Sequence, residues 1–257
     1  MSNRRDSSGS KLFRRQNAFW FAMAIGLVAA VLMYWAIESK EPPASSATAA
    51  AAVPSKPEPA AASLAVTRPL GEPMTVTYIG DSITRGSGAS AESETFREKV
   101  NRKLSEGGPV APIVSAIGGA RLQTVADATT VSPDTDLAII ELGTNDSGTG
   151  PTDLKLFGEQ YTALLQKVKA SAPNASILCL GVWRREGAAY DQMIISKCKD
   201  AGGFPAILRD IAGNQVNRGP DGRPVYGASS GVGDNFHPND TGYSAIAERI
   251  MKVTTVS

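Results

Sequence analysis

The sequence predicts an α/β domain of three layers, α/β/α, built around a central five-stranded parallel sheet. Two observations predict it. Between residues 74 and 211 short apolar runs alternate with longer segments of helical periodicity, and glycine or proline punctuates most of the junctions. Strands that alternate with helices of a dozen residues are joined by right-handed crossovers, which cover both faces of a parallel sheet. A third observation concerns what comes first: residues 18–37 carry no charge for twenty positions, which predicts one transmembrane helix ahead of the domain.

By composition the 257 residues divide into a basic cytoplasmic tail (1–17), the apolar run (18–37), an Ala/Pro-rich linker (38–71) and a domain (72–257). Aromatic residues flank the apolar run, Phe19, Trp20 and Phe21 at one end and Tyr34 and Trp35 at the other, as interfacial belts do. Arg4, Arg5, Lys11, Arg14 and Arg15 precede it, so the positive-inside bias puts the amino terminus in the cytoplasm. The domain is then expected beyond the cell (inner) membrane, in the periplasm or its extracytoplasmic equivalent. A cleaved signal peptide has an apolar core of about 7–15 residues and a small-x-small site. This run is longer and ends Trp35-Ala36-Ile37-Glu38, so a single-span signal anchor is the expectation. The linker has prolines at 42, 43, 54, 57, 59 and 69 and few large apolar residues; extended, its length reaches roughly 90 Å.

Met74–Ile79 reads as the first strand. Phe96, Val100 and Leu104 at spacing four mark a helix over 94–106, ended by Gly107-Gly108. Residues 112–117 form a second strand, broken by Gly118-Gly119, and 137–142 (LAIIEL) a third. Thr152 caps a long helix to Ser171 that carries Phe157, Tyr161, Leu164, Leu165 and Val168 on one face. Residues 175–182 give the fourth strand, 188–200 a helix and 206–211 a weaker fifth strand. A loop rich in Gly and Asn leads to the last helix, 239–253. Strand order 2-1-3-4-5, the flavodoxin-like order, would bring the carboxyl ends of strands one, two and three to one crevice.

The whole chain is near neutral at +1, but 18 Lys/Arg stand against 21 Asp/Glu after residue 71. That sign is wrong for a nucleic-acid surface. One histidine, His237, and two cysteines, Cys179 and Cys198, leave no metal site of several histidines or four cysteines. No aspartate-rich loop suggests an all-carboxylate site, so no cofactor is expected. Outside the cytoplasm Cys179 has the option of pairing with Cys198, and its other reading is a buried strand thiol.

Chemistry-bearing residues follow the strands. Ser82, in Gly80-Asp81-Ser82, follows the first; Gly119 follows the second; Asn145, in Gly143-Thr144-Asn145-Asp146, follows the third. Asp234-x-x-His237-Pro238 precedes the closing helix. Taken singly each is an ordinary turn or cap. Together, in this order, they resemble the four marker blocks of the SGNH/GDSL hydrolase family, over residues 74–254.

The resemblance implies a serine esterase. Ser82 would attack an acyl carbonyl, His237 would serve as general base and acid, and Asp234 would orient the imidazole. The backbone N–H groups of Ser82 and Gly119 and the Asn145 amide would form the oxyanion hole. Arg121, Arg184 and Arg185 also follow strands on this face and are candidate contacts for an anionic substrate; solvated or ion-paired arginines are the plainer reading. The expected function is hydrolysis of O-acyl or O-acetyl esters of a small molecule or glycan through an acyl-enzyme on Ser82. Transfer of the acyl group to a cell-envelope glycan uses the same site, and a non-catalytic glycan-binding domain is the third reading.

Overall fold

The computed structural model describes residues 63–226 and 231–257. The basic tail, the apolar run at 18–37 and the linker as far as residue 62 lie outside the described residues. No helix among the described residues is long and apolar enough to cross a membrane.

Five strands form the central sheet: β2 (Met74–Gly80), β3 (Val110–Ala116), β4 (Leu137–Glu141), β5 (Ser176–Leu180) and β6 (Phe204–Ala206). Their order is β3-β2-β4-β5-β6 and every pairing is parallel. This is the order read from the sequence. Register puts Gly80 level with Ala116 of β3 and Glu141 of β4, so the segments after these residues share the carboxyl end of the sheet.

Successive strand residues face opposite layers. Val76, Tyr78, Leu137 and Ile139 join one core cluster; Ile79, Ala138, Ile140 and Cys179 join the other. After α1 (Ser82–Arg85) come α2 (Phe96–Ser105), α3 (Leu122–Ala128), α4 (Leu154–Ser171), α5 (Ala188–Asp200), α6 (Arg209–Gly213) and α7 (Asp240–Lys252). Phe96, Val100 and Leu104 of α2 and Tyr243, Ile246 and Ile250 of α7 pack in the first cluster. Leu122 and Val125 of α3, the apolar face of α4, and Ile194 and Cys198 of α5 pack in the second.

Four readings change. The fifth strand is 204–206 rather than 206–211, because β5 offers partners only from Leu178 to Leu180; Ile211 is buried from α6 instead. Helix α3, seven residues long, is too short for its period to stand out. Asp153 caps α4, its Oδ1 accepting from Lys155 N and Leu156 N at 3.0 Å, while Thr152 Oγ1 donates to Asp146 Oδ1 at 2.8 Å. The end of the stretch assigned to the linker is ordered. Leu64–Val66 form β1, parallel to β7 (Thr254–Val256), and Arg68 donates to Leu104 O and Pro109 O at 2.6 and 3.0 Å. Ser176 Oγ donates to Ala65 O at 2.9 Å, which puts β1 by the amino end of β5, opposite the end that carries Ser82.

Cys179 of β5 and Cys198 of α5 are joined as a disulfide, with Cα atoms 6.2 Å apart and both side chains fully buried. Closing a loop of this size stabilises by about 3 kcal/mol in the chain-entropy account. Replacing both cysteines by serine should therefore lower the Tm by about 6–12 °C, read by calorimetry on the full chain.

Candidate active site

Ser82 is the first residue of α1, set where β2 ends. The turn needs glycine at 80: a Cβ there would overlap the Thr84 side chain and the Glu141 carbonyl. Asp81 caps α1 through Oδ1, which accepts from Ile83 N at 3.0 Å. The cap takes the second N–H of the helix, and the first, that of Ser82, has no protein acceptor among the described residues. Helix N-termini leave such donors unless something fills them.

His237 arrives from a loop held by its own polar contacts. Arg223 donates to Pro220 O, Asp234 O and Gly88 O. Asn239 Nδ2 donates to Val216, Arg218 and Gly219 carbonyls, and its Oδ1 accepts from Gly242 N at the start of α7. The Nε2 of His237 lies 2.9 Å from Ser82 Oγ, and Nδ1 lies 2.8 Å from Asp234 Oδ2. With Nδ1 protonated toward the carboxylate, Nε2 is left as acceptor for the serine hydroxyl. Asp234 Oδ1 accepts from Phe236 N and His237 N at 2.9 and 2.7 Å. Partial burial pulls the Asp234 carboxyl upward, but the His237 backbone and ring hydrogen bonds outweigh it and hold it below the usual range.

Gly119 follows β3 with φ +74°, a conformation costly for other residues, and its N–H also lacks a protein acceptor among the described residues. Asn145 reaches the same cleft, but its amide is engaged. Nδ2 donates to Asp81 Oδ2 at 3.0 Å and to Ala120 O at 2.8 Å. Both hydrogens are used, so the Ser82 and Gly119 N–H groups are the ones open to a ligand. The structure thus brings Ser82, Gly119, Asn145, Asp234 and His237 to one cleft of about 530 Å³.

Of the three arginines, only Arg184 lines this cleft. Its Nε donates to Thr144 O at 2.9 Å and its guanidinium lies 5.0 Å from the Phe236 ring centroid. Arg121 is tied to Thr149 O and Gly150 O at 3.2 and 2.6 Å, and neither it nor Arg185 is among the lining residues. Arg85 lines the cleft and was not singled out by motif. Its signal is spacing: one helical turn after Ser82, it shares that residue's face.

Glu141 also escaped the motif reading, although a carboxylate inside the run LAIIEL is a signal by itself. It is fully buried, and its Oε2 accepts from Thr84 N and Thr84 Oγ1 at 3.2 and 3.0 Å. It shares a hydrogen bond with the buried Asp81 carboxyl. Burial first, then the Asp81 charge, push Glu141 well above the carboxylate range. Burial also lifts Asp81, to about 6, against the Ile83 N–H and the Glu141 hydrogen bond. Two adjacent buried carboxyls cannot both ionise cheaply, so Glu141 holds the proton and Asp81 accepts.

Residues 78–245 match the model of the GDSL-like lipase/acylhydrolase family. No curated protein is a significant match to the chain. Among solved structures the chain is similar to the psychrotrophic esterase EstA from Pseudoalteromonas sp., in a structure inhibited by monoethylphosphonate; identity is 18%, the TM-score 0.53, and the coverage 70% of this chain and 95% of that one. It is similar to a two-domain esterase (CEX) active on acetylated mannans at 24% identity and TM-score 0.56, over 70% of this chain and 48% of that one, about half its length. It is also similar to the extracellular lipase from Streptomyces rimosus, at 15% identity and TM-score 0.55, over 70% of this chain and 100% of that one. At these identities the likeness is one of fold.

Proposed function

The chain belongs to the GDSL-like lipase/acylhydrolase family, and from that premise we propose a membrane-anchored, extracytoplasmic esterase that removes short O-acyl groups, acetyl foremost, from a glycan. Membership makes it a serine hydrolase of ester bonds. The observation that carries the acyl-enzyme reading is the hydrogen-bonded line from Asp234 through His237 to Ser82, at 2.8 and 2.9 Å, which ends beside two N–H donors that have no acceptor among the described residues.

Ser82 Oγ attacks the acyl carbonyl as His237 Nε2 takes its proton. The oxyanion that forms is held by the Ser82 and Gly119 N–H groups, with the Asn145 amide fixed beside them. The C–O bond to the alcohol then breaks, and His237 returns the proton to the leaving oxygen. Water, activated by the same imidazole, releases the acid and regenerates the serine. Asp234 keeps the imidazole in the tautomer this needs.

A short acyl group suits the cleft wall. Around Ser82 stand Ser87, Gly88, Gly118, Gly119 and Asn145, and the apolar side chains among the lining residues are Val232 and Phe236. A long acyl chain needs a longer apolar surface. Similarity of fold to an esterase active on acetylated mannans is in keeping with a carbohydrate ester. The Cys179–Cys198 bridge and the charge-flanked run at 18–37 support a place beyond the membrane.

The test is turnover of 4-nitrophenyl acetate and of an acetylated polysaccharide by the full-length protein. Asp234→Asn should lower kcat about 10²–10⁴-fold with KM little changed, because the amide favours the wrong tautomer. An Asp234→Asn variant as active as wild type would remove the relay from the mechanism, and acyl groups recovered on a sugar instead of as free acid would make the protein a transferase.

A further inference from the structure

We infer that Arg85 and Arg184 form an anion subsite beside Ser82, and that the ester this protein takes carries a carboxylate close to the scissile bond. The inference rests on the esterase reading and names its substrate class.

Charge accounting within the domain points there. Residues 72–257 carry more acids than bases, 21 against 18. Several guanidiniums elsewhere are met by carboxylates, Arg249 by Asp210 at 2.6 Å, Arg209 by Asp191 at 3.6 Å and Arg97 by Glu98 at 3.7 Å, while Arg68, Arg121 and Arg223 are each taken up by two or more carbonyls. Arg85 and Arg184, at the cleft, have neither arrangement. The Arg85 guanidinium has no hydrogen bond or ion pair among the described residues, and Arg184 uses Nε on a neutral carbonyl and its face on Phe236. No acid among the described residues pairs with either.

The acid beside the cleft is already committed. Asp234 spends one oxygen on two backbone N–H groups and the other on His237. Asp81 is fully buried behind the nucleophile, capping α1 and holding Asn145. Two guanidiniums therefore line the cleft with no carboxylate partner among the described residues. A guanidinium presents a planar fork that suits a carboxylate.

Position makes the pair specific to the reacting ester rather than to the surface at large. Arg85 follows Ser82 by one helical turn, and its Nη1 sits 3.5 Å from where a Cβ on Gly118 would lie. Arg184 stacks on Phe236, whose ring lies edge-on to the His237 imidazole with centroids 5.2 Å apart. One cation thus borders the nucleophile and the other borders the base. A substrate anion held by either guanidinium borders the reacting groups, where it would add to binding and orient the ester.

The experiment compares kcat/KM on two matched pairs with the full-length protein: 4-acetoxybenzoate against 4-acetoxybenzamide, and monophenyl adipate against phenyl adipamate. The first pair puts the carboxylate on the alcohol side, the second on the acyl side. One acid should be preferred over its amide about five- to tenfold at low salt, with the preference shrinking in 0.5 M NaCl. Arg85→Gln and Arg184→Gln should each reduce that acid-to-amide ratio several-fold, a readout insensitive to general losses of activity.

A binding arm uses Ser82→Ala protein and calorimetry, where 4-hydroxybenzoate or adipate should bind more tightly than its amide and lose that advantage in the Arg85→Gln background. Ratios near or below one in both pairs with no tighter binding of either acid, or a preference that persists in the Arg85→Gln, Arg184→Gln double variant, would overturn the subsite. Failure to hydrolyse any of the four esters would instead count against the esterase reading, and the binding arm would still decide the subsite.

Discussion

Ser82→Ala is expected to lower ester turnover by about 10⁴-fold or more and to abolish labelling by a serine-directed phosphonate, with the fold unchanged. The magnitude follows from what the hydroxyl does. Its oxygen is the atom that would bond to the acyl carbon, and its partner among the described residues is the His237 ring, at 2.9 Å. Among the described residues no other hydroxyl is in hydrogen-bonding contact with that ring, so none of them offers the base a substitute nucleophile. Loss of one small oxygen at a site 7% exposed opens no cavity of consequence, which keeps thermal unfolding as a control. Residual turnover above the uncatalysed rate would come from the remaining N–H donors. Full activity in Ser82→Ala, with the phosphonate still bound covalently, would sink the mechanism.

Glu141→Ala should cut kcat about 10²–10³-fold with KM little altered, whereas Glu141→Gln should keep most of the activity. The reason lies in a chain of contacts behind the nucleophile. Neutral Glu141 donates to Asp81, and Asp81 both caps α1 at Ile83 N and holds Asn145 Nδ2 at 3.0 Å. Glutamine keeps a donor for Asp81 and an acceptor for Thr84; alanine leaves a buried Asp81 carboxylate without its donor. Because alanine also costs stability, kcat is measured under conditions where the variant is shown folded, and rescue by glutamine separates positioning from loss of structure.

The same pair predicts a pH effect on stability. Both carboxyls are raised above their unfolded values, Asp81 to about 6, in surroundings that include Asp146, His237 and Thr84. The folded protein therefore holds protons that the unfolded chain releases. The Asp81 contribution is fully present below about pH 4 and is lost as pH rises through 6, and that of Glu141, raised further, is lost at higher pH as pH rises through its folded value. Asp234, held low, changes stability in the opposite sense, so the comparison is of Glu141→Gln with wild type. The variant should show a flatter decline in unfolding free energy between pH 4 and 7. An unchanged slope would mean that Glu141 is not the proton holder.

The sheet and the four marker blocks are legible in the sequence because a parallel sheet turns chain order into proximity. Residues that follow successive strands must meet at one end of it. Boundaries read from apolar runs drift where pairing stops early, as at 204–211, and a seven-residue helix such as α3 has too little period to declare itself. Strand β1 hides in a linker composition because three residues suffice when β7 is there to pair. The arginines show the weakness of reading side chains by position alone. Arg121 follows a strand as expected, yet nearby carbonyls take its guanidinium, while Arg85 gains the cleft by helical spacing.

By itself the sequence determined the layering, the strand order and the candidates for nucleophile, base and orienting acid, the base because only one histidine exists. These depend on local pattern and on residue type. Tertiary structure decided the rest. It carried Ser82 and His237, 155 positions apart, to 2.9 Å, joined Cys179 to Cys198, engaged the Asn145 amide, and kept Glu141 protonated beside Asp81. Hydrogen-bond availability and protonation are set by burial and by neighbours drawn from distant segments, and a local reading of the chain contains neither.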